Sequence, residues 1–355
     1  MAIEKNMKPS EIEMQEGGAV EVEVINPDAV AISTEDEGMI IDFEGGITQQ
    51  IIGPSHDDNL AELIEESDLQ EIASELVDDF ESDRQSRSDW ARSYVKGLDL
   101  LGMKIEERQQ PWAGASGVFH PVLTESVIRF QAQAMGEIFP PSGPVRTKIV
   151  GKMTPEKVEQ SQRVEDEMNY LLTEEMTEYR DEMEQLLFKL PLAGSAFKKI
   201  YYDQLLERPV SELVPVDHFY VSYNAKDLRT ADRYTHLIFR SINDFRKDVV
   251  SGMYLDIDLG KPSAPDIPEM TQKMDELMGI DSSGIDLEDP QYVLLEQHCY
   301  LDLPEPYNDP DGIAHPYIVT IEEKSKKVLC IRRNYKEGDP KKEKKNHFIH
   351  YKYVP

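Results

Sequence analysis

The chain has 355 residues, of which 39% are hydrophobic and 8% aromatic, enough to bury a core and to exclude a wholly disordered protein. With 38 basic and 69 acidic residues its formal charge is −31, which disfavours broad binding to DNA phosphates or acidic lipid headgroups. Cys299 and Cys330 imply no disulfide framework. The start MAIEKNMKPSEIEMQEG lacks the apolar centre of a signal peptide, and no apolar run reaches the roughly 20 residues a bilayer requires. A soluble protein made in a cytoplasm is expected, with no membrane partner.

Residues 1–58 read as an acidic, flexible leader in which AVEVEVI and GMIIDFE alternate as strands would. The region 59–193 reads as helical. Ser67 followed by Gln70 resembles a capping box, and Leu69, Ile72, Leu76 and Phe80 recur at helical steps. The polar stretch 81–89 predicts a turn before Trp90, Tyr94, Leu98 and Leu101 resume the stripe. Pro111, Gly114, Ser116 and Gly117 predict a tight loop, and Pro121 suits the first turn of the next helix. Leu123, Val127, Phe130, Ala134 and Ile138 give that helix one apolar face, ended by Pro140, Pro141 and Pro144.

Thr154-Pro155-Glu156 combines a cap, a first-turn proline and an acid at the positive end of a helix. One long helix is expected from there to Leu190, with Met168, Leu172, Tyr179, Met183, Leu186 and Leu190 on a near-heptad stripe and five glutamates opposite. From Gly194 the period turns strand-like, and residues 194–355 read as a mixed α/β region. It includes a short helix begun by Asn243 or Asp244 and a loop insertion near 255–290 with a weak helix at 268–278. The fold class expected is α+β.

The chain shows no phosphate-binding loop and no nucleophile elbow. The helix glutamates lack the Glu-x-x-His pairs of a di-iron site, so they read as a solvated face. His218, His236 and His298 lie in strand-like runs and read as structural histidines. No acid, base and nucleophile converge in the sequence, so no catalytic residue, cofactor or metal is expected. The basic, aromatic C-terminal run reads as a hairpin with solvated lysines at its turn; the sharper reading makes Lys341, Lys342, Lys344 and Lys345 a nucleic-acid or partner contact.

Four segments occur in an order that resembles the N-terminal half of portal proteins from short-tailed double-stranded-DNA phages. They are DWARSYVKGLDLLGMKIEERQQPWAGASGVFHPVLTESVIRFQAQAMGEIFPPSGPVRTKIVG, LPLAGSAFKKIYYD, VPVDHFYVSYNAKDLRTADRYTHLIFRS and VLCIRRNYKEGDPKKEKKNHFIHYKYVP. The resemblance covers about residues 59–355. It implies a wing-like architecture, a dodecameric ring of the full-length protein at one capsid vertex of the virion, assembled in the host bacterial cytoplasm, and no enzyme activity. DNA would pass through the channel without tight binding during packaging and ejection. Partners would be terminase, major capsid protein and tail or adaptor proteins. Stem and clip would follow HYKYVP, which makes a fragment or split product the expectation. In this frame Trp112 anchors a packed wing corner, with Gly114, Ser116, Gly117 and Pro121 allowing close approach of a neighbour. The other classes are a metal-dependent hydrolase using the acidic loops and a cytoplasmic scaffold without ring symmetry.

Overall fold

The computed structural model describes residues 30–33, 39–42, 55–102, 112–115, 120–203, 206–262, 269–279, 290–308 and 312–353. The chain divides into two compact units, Met1–Leu60 and Ala61–Pro355. In the first, β1 (Val30–Ser33) pairs antiparallel with β2 (Met39–Asp42), so MIID within GMIIDFE finds its partner in VAIS. The other alternation, AVEVEVI, lies outside the described residues, as does most of the leader.

The second unit is α+β. Its larger sheet is an antiparallel meander of β5 (Phe219–Val221), β6 (Tyr234–Ser241), β7 (Gln291–Leu301), β8 (His315–Glu322) and β9 (Lys327–Arg333). A smaller antiparallel sheet sets β3 (Ser195–Asp203) between β4 (Arg208–Val214) and β10 (Phe348–Lys352). Phe197, Val214, Phe219, Tyr234 and Phe348 form one core cluster. Because β3 and β10 supply two of these rings and β5 and β6 two others, the cluster joins the sheets.

Helix α1 (Glu66–Ser86) covers the large sheet near β5 and β9, burying Ala73, Leu76, Val77 and Phe80. It starts at Glu66 without a side-chain cap, so Ser67 sits inside the first turn rather than capping it. The expected turn at 81–89 is instead a single break at Arg87 between α1 and α2 (Ser88–Leu101). Arg87 donates to the carbonyls of Val216, Phe219 and Asp217 at 2.8–3.0 Å, and its guanidinium lies 3.6 Å from the Tyr220 ring centroid. Those contacts place the polar residue at the joint of two packed helices.

Helix α3 (Val122–Ile138) and α5 (Glu178–Ala193) pack together. Phe130, Ala134, Ile138 and Phe139 meet Met183, Leu186, Leu187 and Leu190, so the aromatics of the segment after Pro121 build a helical corner. The expected continuous helix from 155 is interrupted. Helix α4 (Pro155–Tyr170) passes into a π turn at Leu171–Glu175, and α5 begins after Thr177. Only the second half of the heptad-like stripe is core: α4 buries no residue, and Met168 is 38% exposed. Pro191 lies inside α5, which ends at Gly194 in the left-handed conformation (φ 77°).

Helix α6 (Ile242–Val250) is capped by Ser241, whose hydroxyl accepts from Asp244 N–H at 3.1 Å; the cap therefore precedes the expected Asn243 or Asp244. Helix α7 (Glu269–Met278) packs Met270 and Met274 against Tyr94 and Leu98. Tyr254, expected at the end of the short helix, and the stretch 255–260, expected as insertion or surface loop, lie on the large sheet. Tyr254 is buried, Leu255 N–H donates to Leu329 O at 3.0 Å, and Tyr292 Oη donates to Gly260 O at 2.8 Å. Residues 263–268 and 280–289 of that insertion lie outside the described residues.

Candidate functional site

The expected corner is not where the core is. Trp112 is 67% exposed, so it is not a buried anchor. Gly114 has φ 82° with no atom within 4 Å of where a Cβ would stand, so its backbone conformation, not close packing, requires glycine. Pro121 is exposed and occupies the cap position one residue ahead of α3. Ser116 and Gly117 lie outside the described residues.

The four C-terminal lysines do not form one basic patch. Lys341 is exposed, 3.9 Å from Glu343. Lys342 has φ 48° and its Nζ stands 2.7 Å from His315 Nε2. Lys344 turns inward: Nζ donates to Ala231 O at 2.8 Å and lies 5.1 Å from the Tyr234 ring centroid, and burial lowers its pKa. Lys345 is half-buried and donates its backbone N–H to Asn334 O at 2.8 Å. Lys344 thus ties the turn down, leaving its ammonium directed inward.

Behind Lys344 the strands assemble a polar cluster between the two sheets. Lys199 on β3 reaches both carboxylate oxygens of Glu296 on β7, at 2.7 and 2.6 Å. Glu296 Oε1 is 3.1 Å from His298 Nε2, and His298 Nδ1 lies 3.4 Å from Tyr234 Oη and 3.3 Å from Asn334 Nδ2. Asn334 Oδ1 in turn faces His347 Nε2 at 3.1 Å. The alternation of β7 puts Glu296 and His298 on the same face, and the β6–β7 register sets Tyr234 opposite His298 and His236 opposite Glu296.

Tyr234, His298 and Glu296 therefore form a hydroxyl–imidazole–carboxylate line that the sequence reading missed. The arrangement resembles the acid–base relay of a hydrolase in order but not in access. His298 and Tyr234 are each 1% exposed. Burial pushes the Tyr234 phenol well up, so it keeps its proton. Burial also lowers His298, and it lowers His236 to about 3 and His347 to about 4, so the imidazoles stay neutral. For Glu296 burial opposes the charged form, but Lys199 and the His298 hydrogen bond outweigh it and hold the carboxyl well below its usual range. What this arrangement can do is clamp β3 and the 334–347 turn onto the large sheet. Cys299 is buried, and its thiol is pushed up to about 12, which leaves it unreactive. Among the described residues, no group of three or more His, Cys, Asp or Glu side chains is placed to hold a metal ion.

A second feature is a stretch of exposed apolar side chains. Between Gly102 and Met176, Val127 is the sole buried residue among those described. Trp112, Val122, Ile128, Val150, Met153, Val158, Val164, Met168 and Tyr170 are all exposed, Val150 by 88% and Met153 by 71%. In this arm the backbone of 145–147 is held to α4 by polar side chains. Asn169 bonds both the N–H and the C=O of Val145, at 2.9 and 3.1 Å, and Glu165 accepts from Thr147 N–H at 3.0 Å. Gly143 (φ 94°) lets Asn169 in, since a Cβ there would stand 2.5 Å from its Oδ1. Polar rungs at 161, 165 and 169 use one face of α4, and its apolar residues Val158, Val164, Met168 and Tyr170 stay exposed.

No family model matches the chain, and no curated protein matches it. Among the described residues no helix is long and apolar enough to cross a membrane.

Proposed function

We propose that the chain is a structural subunit of a phage portal, a ring at the capsid vertex through which DNA is packaged and ejected. The order of four sequence segments supports the family. The single structural observation that supports a ring-forming subunit best is the arm between Gly102 and Met176. Among its described residues it keeps one buried, Val127, while exposing several large apolar side chains, and exposed apolar surface of this kind marks interaction sites. Such an arm is accounted for by a neighbouring subunit that covers it.

In this reading the subunit is not an enzyme. The Tyr234–His298–Glu296 line is read as a structural clamp, because its hydroxyl and imidazole members, Tyr234 and His298, are each 1% exposed. The ring carries terminase, capsid and tail or adaptor proteins on its outside and passes DNA through a channel. A chain of charge −31 gives that channel walls that repel phosphates rather than hold them. It works in the virion after assembly in the host bacterial cytoplasm. The test is particle mass by light scattering at about 0.15 M salt, where the range of charge repulsion falls to about 8 Å. A mass twelve times that of the 40.6 kDa chain is expected. A monomer or dimer at every concentration makes the protein a scaffold without ring symmetry.

A further inference from the structure

Residues 146–157 are anomalous for this molecule. In a chain of charge −31 they carry Arg146, Lys148, Lys152 and Lys157 against one acid, Glu156. All four cations are exposed, and among the described residues none makes an ion pair. Arg146 bonds Ser142 Oγ at 3.0 Å, and Lys157 reaches only the carbonyl of Lys152, at 3.5 Å. Val150 and Met153, between the lysines, are the two most exposed apolar residues of the arm. The elbow is not loose: Glu165 and Ser161 hold Thr147, and Thr154 caps α4 by accepting from Lys157 N–H at 3.4 Å. It presents three lysine charges without ion pairs among the described residues, Arg146 within the field of Glu165, and two apolar side chains on a fixed frame.

A complementary surface exists on the same chain. Helix α1 buries Ala73, Leu76, Val77 and Phe80 and turns Glu71, Glu75 and Asp78 outward on successive turns. Glu71 and Glu75 make no ion pair among the described residues, and Asp78 is 3.9 Å from Lys326. Seven residues of helix span about 10 Å. The four-residue step from Lys148 to Lys152 reaches at most about 13 Å when extended, so two lysines can meet the stripe at once.

We propose that this elbow docks on the outer acidic face of α1 of a second copy of the chain. The two surfaces differ, so the contact is heterologous; it runs head to tail and closes into a ring where the rotation allows. That the occupant is a second copy rests on the ring reading above. A duplex would use the four cations, but it would leave Val150 and Met153 against phosphates. A protein surface uses both, with apolar side chains at the centre and charges around them.

The test uses two charge reversals in the full chain at exposed positions, Lys148→Glu with Lys152→Glu and Glu71→Lys with Glu75→Lys, each checked for an unchanged melting temperature. Sedimentation equilibrium is run at about 0.15 M salt, with a duplex-DNA titration alongside. Each reversal alone is expected to weaken self-association at least about tenfold, because like charges then face each other across the contact. Mixing the two variants restores opposite charges at every contact, and association should return to within about threefold of the parent. Association indifferent to both reversals overturns the contact, and so does a mixture that fails to recover. An elbow reversal that removes DNA binding while leaving mass unchanged makes nucleic acid the occupant and also overturns it. Charge-dependent assemblies that never close into twelvefold rings would sink the portal reading alone. Twelvefold rings insensitive to the reversals would sink the elbow contact alone.

Discussion

Removing the Glu296 charge would leave the Lys199 ammonium, whose side chain is 16% exposed, facing the inter-sheet cluster without its carboxylate. Glu296→Gln is therefore expected to cost about 3–5 kcal/mol, the range for breaking one side of a buried pair. Lys199→Met combined with Glu296→Leu should recover most of that loss, because it removes both desolvated charges together. Urea denaturation of the three proteins checks this, and equal losses in the single and double variants would refute the clamp. Trp112→Ala, by contrast, should change stability by less than about 0.5 kcal/mol, as surface substitutions do. A fall of several degrees in melting temperature would show that Trp112 is held after all. These two sites mark what one sequence can and cannot show. A tryptophan among glycines and alanines suggests an anchor, but burial depends on what the rest of the chain brings to it, and Trp112 stays 67% exposed. The cluster was invisible for the opposite reason: Lys199 and Glu296 are 97 residues apart, and no local pattern links them.

At the scale of elements, the seam between the sheets should be sensitive to acid. Burial lowers the pKa of His236 to about 3 and of His347 to about 4, and it also lowers those of His298, His350 and His218. Unfolded, these imidazoles titrate near 6.5. Above that value both states are neutral and the groups leave stability unchanged. Between 6.5 and the folded values the unfolded chain binds more protons, so stability falls as pH falls, by up to about 1.4 kcal/mol per pH unit per group. Glu296 adds to the loss once pH drops below its unfolded range, since its folded pKa is depressed. Denaturation midpoints should be level from about pH 8 to 7 and decline steeply from about 6 to 4. A midpoint independent of pH across that span would mean that the histidines are solvated. The stripe of α3 and the capped start of α4 were legible in the sequence, because apolar spacing and Thr-Pro-Glu act locally. The break at Leu171–Glu175 was not. Its residues continue the helical period, and only the polar rungs holding the 145–147 backbone to α4 separate that helix from the core-facing α5.

For the whole molecule, the α+β class followed from the change of period at Gly194, whereas the exposed arm required coordinates, since an amphipathic helix reads the same whether its partner is its own chain or another. Among the described residues the buried ones lie mainly on the two sheets of the larger unit, α1, α2 and α5, and between Gly102 and Met176 Val127 alone is buried, although α3 packs on α5. The proposed portal subunit would account for that imbalance, because a ring would supply cover from its neighbours. Net charge works against association at low ionic strength, where repulsion between copies of −31 reaches roughly 30 Å at 0.01 M salt. Assembly therefore belongs in about 0.15 M salt, where contact pairs persist and long-range repulsion is screened. The most direct measurement is electron cryomicroscopy of the purified full chain under that condition, read as the rotational symmetry of end-on class averages. The expected result is closed twelvefold rings around an open channel, with the arm at the boundary between subunits. Dispersed single chains or dimers, with the arm facing solvent, would contradict the account.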